Sequence, residues 1–493
     1  MRLFPKNNPF QSGRFWLGLA LLVAGHLPTL AQSNLTLYPA PAGLAPAPDF
    51  QVWVNGRELF LYDTKPAAIG SFDFSGNVTV ELTAKQDLKW VDVRPKSRNI
   101  RPTLANNRAR FTLDRPGQFS VEFHGESKRV IHLFANPPET TRPRPDAPGV
   151  RYFRGGRVYD VGTLELKDGE HLYLEGGAVL RGAVQATNAR NVRISGRGIL
   201  DGDSLPRGTR LVLLDRVEGA SLEGVTLVNS RTWTVEPMFC RNLRIDNLKI
   251  VNHETGSDGI DLVGCQDVRI ANSFVRANDD CIVIKTWKGT DKYPSNPEVG
   301  PDVSDIAVSN CVFWNMPWGN ALEIGFELRA KSVRDVRFTD SDIIHVERGA
   351  ALSIHNGDYA TVENILFDNI RVEDAHHKLI DLAVFLSQYS VDRPTDPAER
   401  RRRYKAGAWD GVLWVYPGEE AKHAPNRGRI RNVTFRNIAV VDGPLPFSLI
   451  SGFDAQHAAE NVVIENLTYL GRPIRSLEDG KFFVENARNV VVK

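Results

Sequence analysis

A short motif that recurs along most of the chain limits what this sequence can fold into. It reads Asn or Asp, apolar, any residue, apolar, any residue, and then usually Asn or Asp. Full copies begin at Asn191, Asn242, Asp267, Asp305, Asp335, Asn364, Asn432 and Asn461, and a partial copy begins at Asn489. Successive copies often start about 25 to 30 residues apart, which is the repeat length of solenoid proteins.

The copies predict a right-handed parallel β-helix. Within each copy the apolar side chains alternate, so they would point into a shared interior, and the recurrent Asn or Asp suits a turn with left-handed backbone. Stacked copies form parallel sheets, and parallel crossovers are almost always right-handed. The longer intervals, from Asp267 to Asp305 and from Asn364 to Asn432, predict loops inserted on one face, where solenoids commonly bind ligands.

The N-terminal part of the chain differs from the repeats. Residues 1–31 combine a basic start, the apolar run "FWLGLALLVAG" and the small-residue ending "TLA". That layout is typical of a secretory signal peptide, and its apolar run is short for a membrane span. We therefore expect a secreted or periplasmic protein that does not stay in the membrane after signal cleavage.

Three further regions follow the signal peptide. Residues 33–136 hold short alternating stretches such as "QFSVEFHG", which predict a small N-terminal β-sandwich that covers the open end of the helix. Residues 137–149 form a proline-rich linker, and residues 150–493 form the β-helix. An insertion at 388–427 carries an arginine run, which is typical of a solvated surface and also suits contact with an anionic polysaccharide.

Charge and cysteine content restrict the partners. The formal net charge is +2, and residues 1–31 hold three basic and no acidic residues, so the remaining chain carries −1. Such a chain lacks the net positive charge typical of nucleic-acid binders, and we expect no nucleic-acid partner. Cys240, Cys265, Cys281 and Cys311 form no CxxC pair, so we expect no metal or other cofactor. Their pairing does not follow from the sequence, and we expect a monomer.

Three aspartates carry the chemical signal. Asp258 lies in "SDGIDL", and Asp279 and Asp280 lie in "NDDCIVIK", each directly before an apolar strand segment of successive coils. Adjacent coils rise by about 4.8 Å, so the three carboxylates should gather on one surface. Glycoside hydrolysis requires such a group, because one protonated acid and one ionised carboxylate act together. Aspartates that cap turns, or a calcium site, would explain the same spacing.

The two aspartate motifs resemble those of the polygalacturonase family, glycoside hydrolase family 28, which has a pectin-lyase-like β-helix. The segment "GRGILDGD" at 196–203 is similar to an early motif of that family. The resemblance implies an inverting single displacement. Asp279 would be the general acid, and Asp258 and Asp280 would orient the attacking water.

The chain departs from the family where a uronate would bind. The family sequence G-H-G-L-S-I-G is replaced by "GNALEIG", which places Asn320 at the histidine and Glu323 at the serine. The family sequence R-I-K aligns with Ser353 and His355 in "ALSIHNG". In the family those basic residues hold a galacturonate carboxylate, and serine does not replace an arginine contact. We therefore expect the protein not to be specific for plain polygalacturonan.

Five residues near the aspartates are predicted to bind substrate: Asn320, Glu323, His355, Lys285 and Trp287. The tryptophan would stack on a sugar ring, although such residues also pack in cores. The expected partner is a polysaccharide or oligosaccharide.

Three other functions compete with this reading. The sandwich before a β-helix, with "WGNALEIGFE" lacking the histidine, also resembles the dextranase and isopullulanase family, glycoside hydrolase family 49, whose members act on neutral α-glucans. A β-helix polysaccharide lyase would use a Lys or Arg base with calcium and leave an unsaturated product. A non-catalytic polysaccharide-binding solenoid would need no acid group.

Overall fold

The computed structural model describes residues 34–289, 298–404 and 411–493. The predicted signal peptide, residues 1–31, lies outside them. Within the described ranges, no helix is both long enough and apolar enough to cross a membrane.

Two sheets make the N-terminal sandwich. Their strands are β1 (Asn34–Leu37), β2 (Phe50–Val54), β3 (Arg57–Leu59), β4 (Leu61–Asp63), β5 (Ala67–Ser75), β6 (Val78–Ala84), β7 (Val91–Arg94), β8 (Thr103–Ala105), β9 (Arg108–Leu113), β10 (Gly117–Phe123) and β11 (Glu126–Asn136). One sheet has the strand order β1-β5-β11-β10-β7, with β4 paired to β5, and the other has the order β3-β2-β6-β9-β8. A 3₁₀ turn spans Lys96–Arg98. Apolar side chains that alternate along these strands fill the space between the two sheets.

The rest of the chain winds into the predicted β-helix, whose strands pair in parallel from coil to coil. Its strands are β12 (Val150–Phe153), β13 (Arg157–Glu165), β14 (His171–Leu174), β15 (Ala178–Thr187), β16 (Arg193–Gly196), β17 (Ile199–Asp201), β18 (Val212–Asp215), β19 (Ser221–Glu223), β20 (Thr226–Val228), β21 (Val235–Met238), β22 (Arg241–Asp246), β23 (Lys249–Val251), β24 (Ile260–Val263), β25 (Gln266–Ala271), β26 (Phe274–Ala277), β27 (Ile282–Thr286), β28 (Val303–Ser309), β29 (Val312–Asn315), β30 (Leu322–Leu328), β31 (Ser332–Thr339), β32 (Asp342–Val346), β33 (Ala350–Asn356), β34 (Thr361–Ala375), β35 (Lys378–Val384), β36 (Arg429–Val440), β37 (Phe447–Ser451), β38 (Ala459–Glu465), β39 (Thr468–Tyr469), β40 (Arg472–Pro473), β41 (Phe482–Glu485) and β42 (Ala487–Val492). The short pair β39 and β40 is antiparallel.

The coils present three faces. The motif copies form one face, which includes β16, β19, β22, β25, β28, β31, β34, β36, β38 and β42. A second face, the site face, consists of β18, β21, β24, β27, β30, β33, β35, β37 and β41. The third face includes β17, β20, β23, β26, β29 and β32. Inward side chains from all three meet in one continuous apolar core, so the predicted β-helix is confirmed.

The recurrent Asn or Asp explains how each coil turns. The first residue of every motif copy has a left-handed backbone, with φ between 52° and 59°. Several of these side chains also form hydrogen bonds between coils. For example, Asn461 Nδ2 donates to Asn432 Oδ1 at 3.0 Å. Asn tolerates this conformation at low cost and supplies both a donor and an acceptor.

The four cysteines, Cys240, Cys265, Cys281 and Cys311, are buried free thiols. They pack in the core as small apolar residues.

The sandwich packs along the third face, and the expectation that it covers the N-terminal end of the helix is wrong. Ile69 and Phe134 of the sandwich join Val251, Phe274 and Trp314 of the helix in one apolar cluster. The physical reason lies in the third face itself, whose strands are apolar on their outer as well as their inner side. A sheet that is apolar on both sides must be covered on both.

Buried ion pairs reinforce this contact. Arg94 of β7 lies 2.5 Å from Glu373 of β34 and 3.1 Å from Glu122 of β10. His345 of β32 lies 3.0 Å from Glu122 and 2.9 Å from Asp374.

An insertion between β35 and β36 holds two short helices, α1 (Pro397–Arg403) and α2 (Glu420–His423), and a 3₁₀ turn at Ala424–Asn426. The arginine run falls in α1, where Arg402 and Arg403 both pair with Glu399.

Replacing Arg94 with alanine should lower the free energy of unfolding by about 3–5 kcal/mol, because Glu122 and Glu373 would lose a buried partner. Urea denaturation followed by circular dichroism measures this. Arg108→Ala, which removes an exposed pair with Glu81, should cost only about 0–1 kcal/mol. Equal losses in the two variants would contradict a buried ionic contact between sandwich and helix.

Candidate active site

The structure brings the three predicted aspartates together on the site face. Asp258 lies in the turn before β24, and Asp279 and Asp280 lie in the turn before β27 of the next coil. One carboxylate oxygen from each lies within 4.8 Å of the others. Asp258 and Asp280 are buried, whereas Asp279 is partly exposed. Asp279 is therefore the most accessible of the three to a ligand.

The turns that carry the aspartates are held by their neighbours. Thr234 Oγ1 donates to the Asp258 carbonyl at 2.6 Å, and Asn315 Nδ2 donates to the Asp279 carbonyl at 2.8 Å. Gly319 has φ +59°, and a Cβ there would overlap Asp279 Oδ1 and the Asp280 amide. The sequence analysis did not identify Thr234 or Asn315, because each bonds to an aspartate on a neighbouring coil, and this contact forms only when the coils stack.

Burial is the main cause that raises the pKa of Asp258 and Asp280. The neighbouring carboxylates raise it further, and the Lys285 ammonium opposes them. Because the three carboxylates interact strongly, they titrate together, and a proton that stays bound is shared among them. The cluster therefore keeps an acidic proton available nearer to neutral pH than an isolated aspartate would.

Lys285 lies beneath the aspartates as their counter-charge. Burial lowers its pKa, but Glu327 and the nearby aspartates outweigh burial and hold the pKa well above the ordinary value. Its Nζ lies 3.4 Å from Glu327 Oε2 and 5.4 Å from the centre of the Trp233 ring. Lys285 is also largely buried. It serves the site by offsetting acidic charge.

Asp261 is a residue that the sequence interpretation missed. It is fully buried on β24, and burial is the first cause that raises its pKa. It belongs to the quoted "SDGIDL" segment, where alternation with Ile260 and Leu262 places it outward on the site face. That alternation was the signal that could have identified it.

Three of the predicted substrate-binding residues form a buried hydrogen-bond network. Asn320 donates its backbone N–H to Asp280 Oδ1 at 2.7 Å and its side-chain amide to Glu323 Oε2 at 3.0 Å. Glu323 Oε2 also accepts from Ser353 Oγ and lies 3.0 Å from His355 Nδ1. The network links Asp280 to the C-terminal coils.

His355 is enclosed by two carboxylates. Its Nδ1 lies 3.0 Å from Glu323 and its Nε2 lies 3.0 Å from Asp381. Burial lowers its pKa, but the two carboxylates outweigh burial and raise the pKa to about 10. Burial conversely raises the pKa of Asp381, while His355 and Lys378 bring it down to about 2. The imidazolium charge is thus offset inside the protein.

The prediction that Trp287 stacks on a sugar is wrong. Its side chain is fully buried and packs with Trp233, Met238 and Val263. Those neighbours on adjacent coils offer an apolar surface, and removing the large indole from water stabilises the fold.

Two aromatic residues do lie near the aspartates. Trp318 directly precedes Gly319 and is 38% exposed. Tyr389, from the segment after β35, is close enough to Asp279 and Glu327 for their charges to raise its pKa, after the larger effect of burial. Only the folded coils bring Tyr389 to this place.

Comparison with known proteins agrees with this fold. Residues 173–389, which contain all three aspartates, match the model of the glycosyl hydrolases family 28. A probable polygalacturonase from Vitis vinifera is 27% identical over 161 residues, which is 32% of each chain. The predicted resemblance to family 28 is thereby confirmed.

Solved structures support the fold over a larger part of the chain. Dex49A from Penicillium minioluteum superposes with a TM-score of 0.61 at 14% identity, covering 91% of this chain and 96% of the other. A polygalacturonase from Erwinia carotovora ssp. carotovora gives 0.50 at 17% identity, covering 69% and 88%. The resemblance to family 49 is confirmed at the level of the fold.

Residues 173–389, the central part of the β-helix, are therefore similar to the glycosyl hydrolases family 28. The chain spans about a third to a half of the length of the curated relatives it matches.

We expect His355 to stay protonated from pH 5 to pH 8, because its pKa of about 10 lies above that range. Its contribution to stability is complete below the unfolded pKa of about 6.5 and is lost as pH rises through about 10. NMR of the ¹⁵N-labelled imidazole measures the protonation state. A His355 titration near pH 6.5 would contradict the paired arrangement.

Proposed function

We propose that the protein is an inverting glycoside hydrolase that acts on a polysaccharide whose sugars at the cleaved bond are uncharged. The observation that carries the proposal is the convergence of Asp258, Asp279 and Asp280 within 4.8 Å on an open face. Asp279 donates a proton to the leaving oxygen as the glycosidic bond breaks. Asp258 and Asp280 share one proton, so that one of them is ionised; together they hold the attacking water, and the ionised carboxylate takes its proton as the water oxygen bonds to the anomeric carbon.

Exposure supports this division of roles. A general acid must touch the leaving-group oxygen, and Asp279 is the partly exposed member of the three. Asp258 and Asp280 are buried deeper, where a small water molecule reaches them more easily than a sugar ring. Asn320 fixes Asp280 through its backbone N–H, which orients that carboxylate.

Inverting enzymes commonly separate the two catalytic carboxyl groups by about 6.5–9.5 Å, and retaining enzymes by about 5–5.5 Å. In this site one oxygen of each aspartate lies within 4.8 Å of the others, so the nearest oxygens alone do not assign the mechanism. The proposal of inversion instead rests on two buried carboxylates that share one water beside the acid.

The charge of the site face supports an uncharged substrate. Strands β21 to β35 of this face and the three aspartates carry eight acidic groups, which are Glu236, Asp258, Asp261, Asp279, Asp280, Glu323, Glu327 and Asp381. On the same strands they are opposed by Lys285, His355 and Lys378, each of which already pairs with an acid of the protein. Arg210 in addition pairs with Glu236. On these strands an anionic polymer would meet more acidic than basic groups, and each basic group of the strands is already paired with an acid.

The alternatives have less support. A lyase would need a neutral Lys or an Arg as base, whereas Lys285 is held in its charged form and strands β21 to β35 of the site face contain no arginine. A neutral α-glucan remains a candidate substrate. Export of the protein and its monomeric state stay predictions, and export would bring it to polymers outside the cell.

Replacing Asp279 with Asn should lower hydrolysis by roughly 10²–10⁴-fold, because the amide cannot donate the leaving-group proton. Release of reducing ends from methyl-esterified pectin, dextran and pullulan measures the rate. Ultraviolet absorbance of the products separates hydrolysis from a lyase reaction.

Asp267→Asn is the matched control. Asp267 begins a motif copy where other copies have Asn, and it is exposed on another face. It should keep the native rate. An Asp279→Asn protein with more than half the native rate, although folded, would refute the assigned role.

The first product released from an α-linked substrate should be the β anomer, because the water attacks from the side opposite the leaving group. Proton NMR in the first minutes of the reaction reads the anomer before it equilibrates. Initial α product would mean that an aspartate attacks the sugar directly and that the mechanism retains configuration.

A further inference from the structure

A second concave site lies on the site face, beyond the aspartates toward the C-terminus. It is a cavity of about 510 Å³. Its floor comes from β35, β37 and β41 and includes Asp381 and Phe447, while Leu413 and Trp414 of the insertion form a wall. Volumes of about 300–1,000 Å³ are typical of small-molecule sites.

The cavity and the aspartates share one face and one axis. The strands β35 to β41 are three to five coils beyond β27. With about 4.8 Å per coil, the cavity lies about 14–24 Å along the axis from the aspartates. A single sugar ring does not bridge that distance, whereas an extended chain along the face does.

The floor of the cavity offers a hydrogen-bond acceptor that the protein leaves unused. Asp381 is almost completely buried, and its Oδ2 pairs with His355 and Lys378. Its Oδ1 is also buried and has no hydrogen-bond partner among the described residues. Buried polar atoms are nearly always paired, so this oxygen points to a donor supplied from outside. Sugar hydroxyls are such donors.

Aromatic side chains and charge specify the ligand further. Trp414 lines the cavity and is 49% exposed, and Phe447 lines its floor. Aromatic rings pack well against the apolar side of a sugar ring. Asp381, Glu420 and Glu485 outnumber Lys378 and the protonated His355 among the charged lining residues, so the cavity disfavours an anion.

Hydrogen bonds and an ion pair within the protein hold the insertion that forms the wall. Leu413 donates its backbone N–H to the Leu386 carbonyl at 2.8 Å. Arg427, which is 3% exposed, pairs with Asp392 and donates to the Phe385 carbonyl. A preformed wall reduces the entropy lost on binding.

We propose that this cavity binds an uncharged sugar unit of the same polysaccharide that the aspartates cleave, several units away from the cleaved bond. The sugar donates a hydroxyl to Asp381 Oδ1 and packs its ring on Trp414. The inference rests on the proposed function, and it predicts that long oligosaccharides bind better than short ones.

Calorimetry on the full chain carrying Asp279→Asn, which prevents turnover, tests the inference. The probes are the disaccharide and octasaccharide of two neutral series, methyl-esterified oligogalacturonides and isomalto-oligosaccharides. In at least one series the octasaccharide should bind about tenfold or more tighter than the disaccharide, and Trp414→Ala should remove that gain. Trp90→Ala, which removes a tryptophan exposed on the sandwich, should leave the gain intact.

Two results would overturn the inference. One is a gain in affinity from disaccharide to octasaccharide that survives Trp414→Ala in a folded protein, and the other is no gain in affinity with chain length in either series. If the native chain still releases reducing ends, the proposed function stands while the inference fails. If Trp414-dependent binding is found but no polymer is cleaved, the sugar site is supported and the proposed function fails.

Discussion

The parallel, in-register stacking of coils is the constraint on which the rest of the structure depends. Each strand of the site face lies about 4.8 Å from the next, and the pairing register decides which side chains become neighbours. Asp261 pairs with Val283, Val283 with Glu323, Glu323 with Ser353, and Ser353 with Asp381. Residues that are far apart in sequence thereby form one outward row. The same register fixes the turns before β24 and β27, and so brings the three aspartates together.

The row of acids has an electrostatic cost, and the protein offsets it internally. Lys285 balances the carboxylates around the aspartates, and His355 lies between Glu323 and Asp381. In the resembled family, basic residues at the aligned positions hold a substrate carboxylate. In this protein the basic residues on strands β21 to β35 of the site face, Lys285, His355 and Lys378, are paired with acids of the fold itself. The face can therefore meet sugar hydroxyls without supplying the counter-charge that a uronate needs, which connects the architecture to the proposed substrate class.

The sequence predicts the elements whose signal is local and repeated. The motif predicts the β-helix because each copy carries its own alternation and its own left-handed turn residue, and the two Asp motifs predict the aspartate group because they recur one coil apart. Trp287 was assigned wrongly, since the sequence pattern does not show whether a side chain directly after a strand is buried or faces the ligand. The predicted position of the sandwich was also wrong. The sandwich packs on outward apolar residues that come from separate coils, so no single stretch of sequence shows them together. His355 was expected to face substrate, and only the register shows that Glu323 and Asp381 enclose it.

The central claim, that an acidic face without a free cationic clamp selects an uncharged polymer, is tested most directly by two substrates that share a backbone and differ only in charge. The measurement is kcat/KM for polygalacturonate that is fully methyl-esterified and for the same preparation after de-esterification, at low and at high salt. The account predicts that the esterified polymer is cleaved about tenfold or more faster, and that high salt narrows the difference because it screens repulsion. Faster cleavage of the de-esterified polymer at low salt would contradict it.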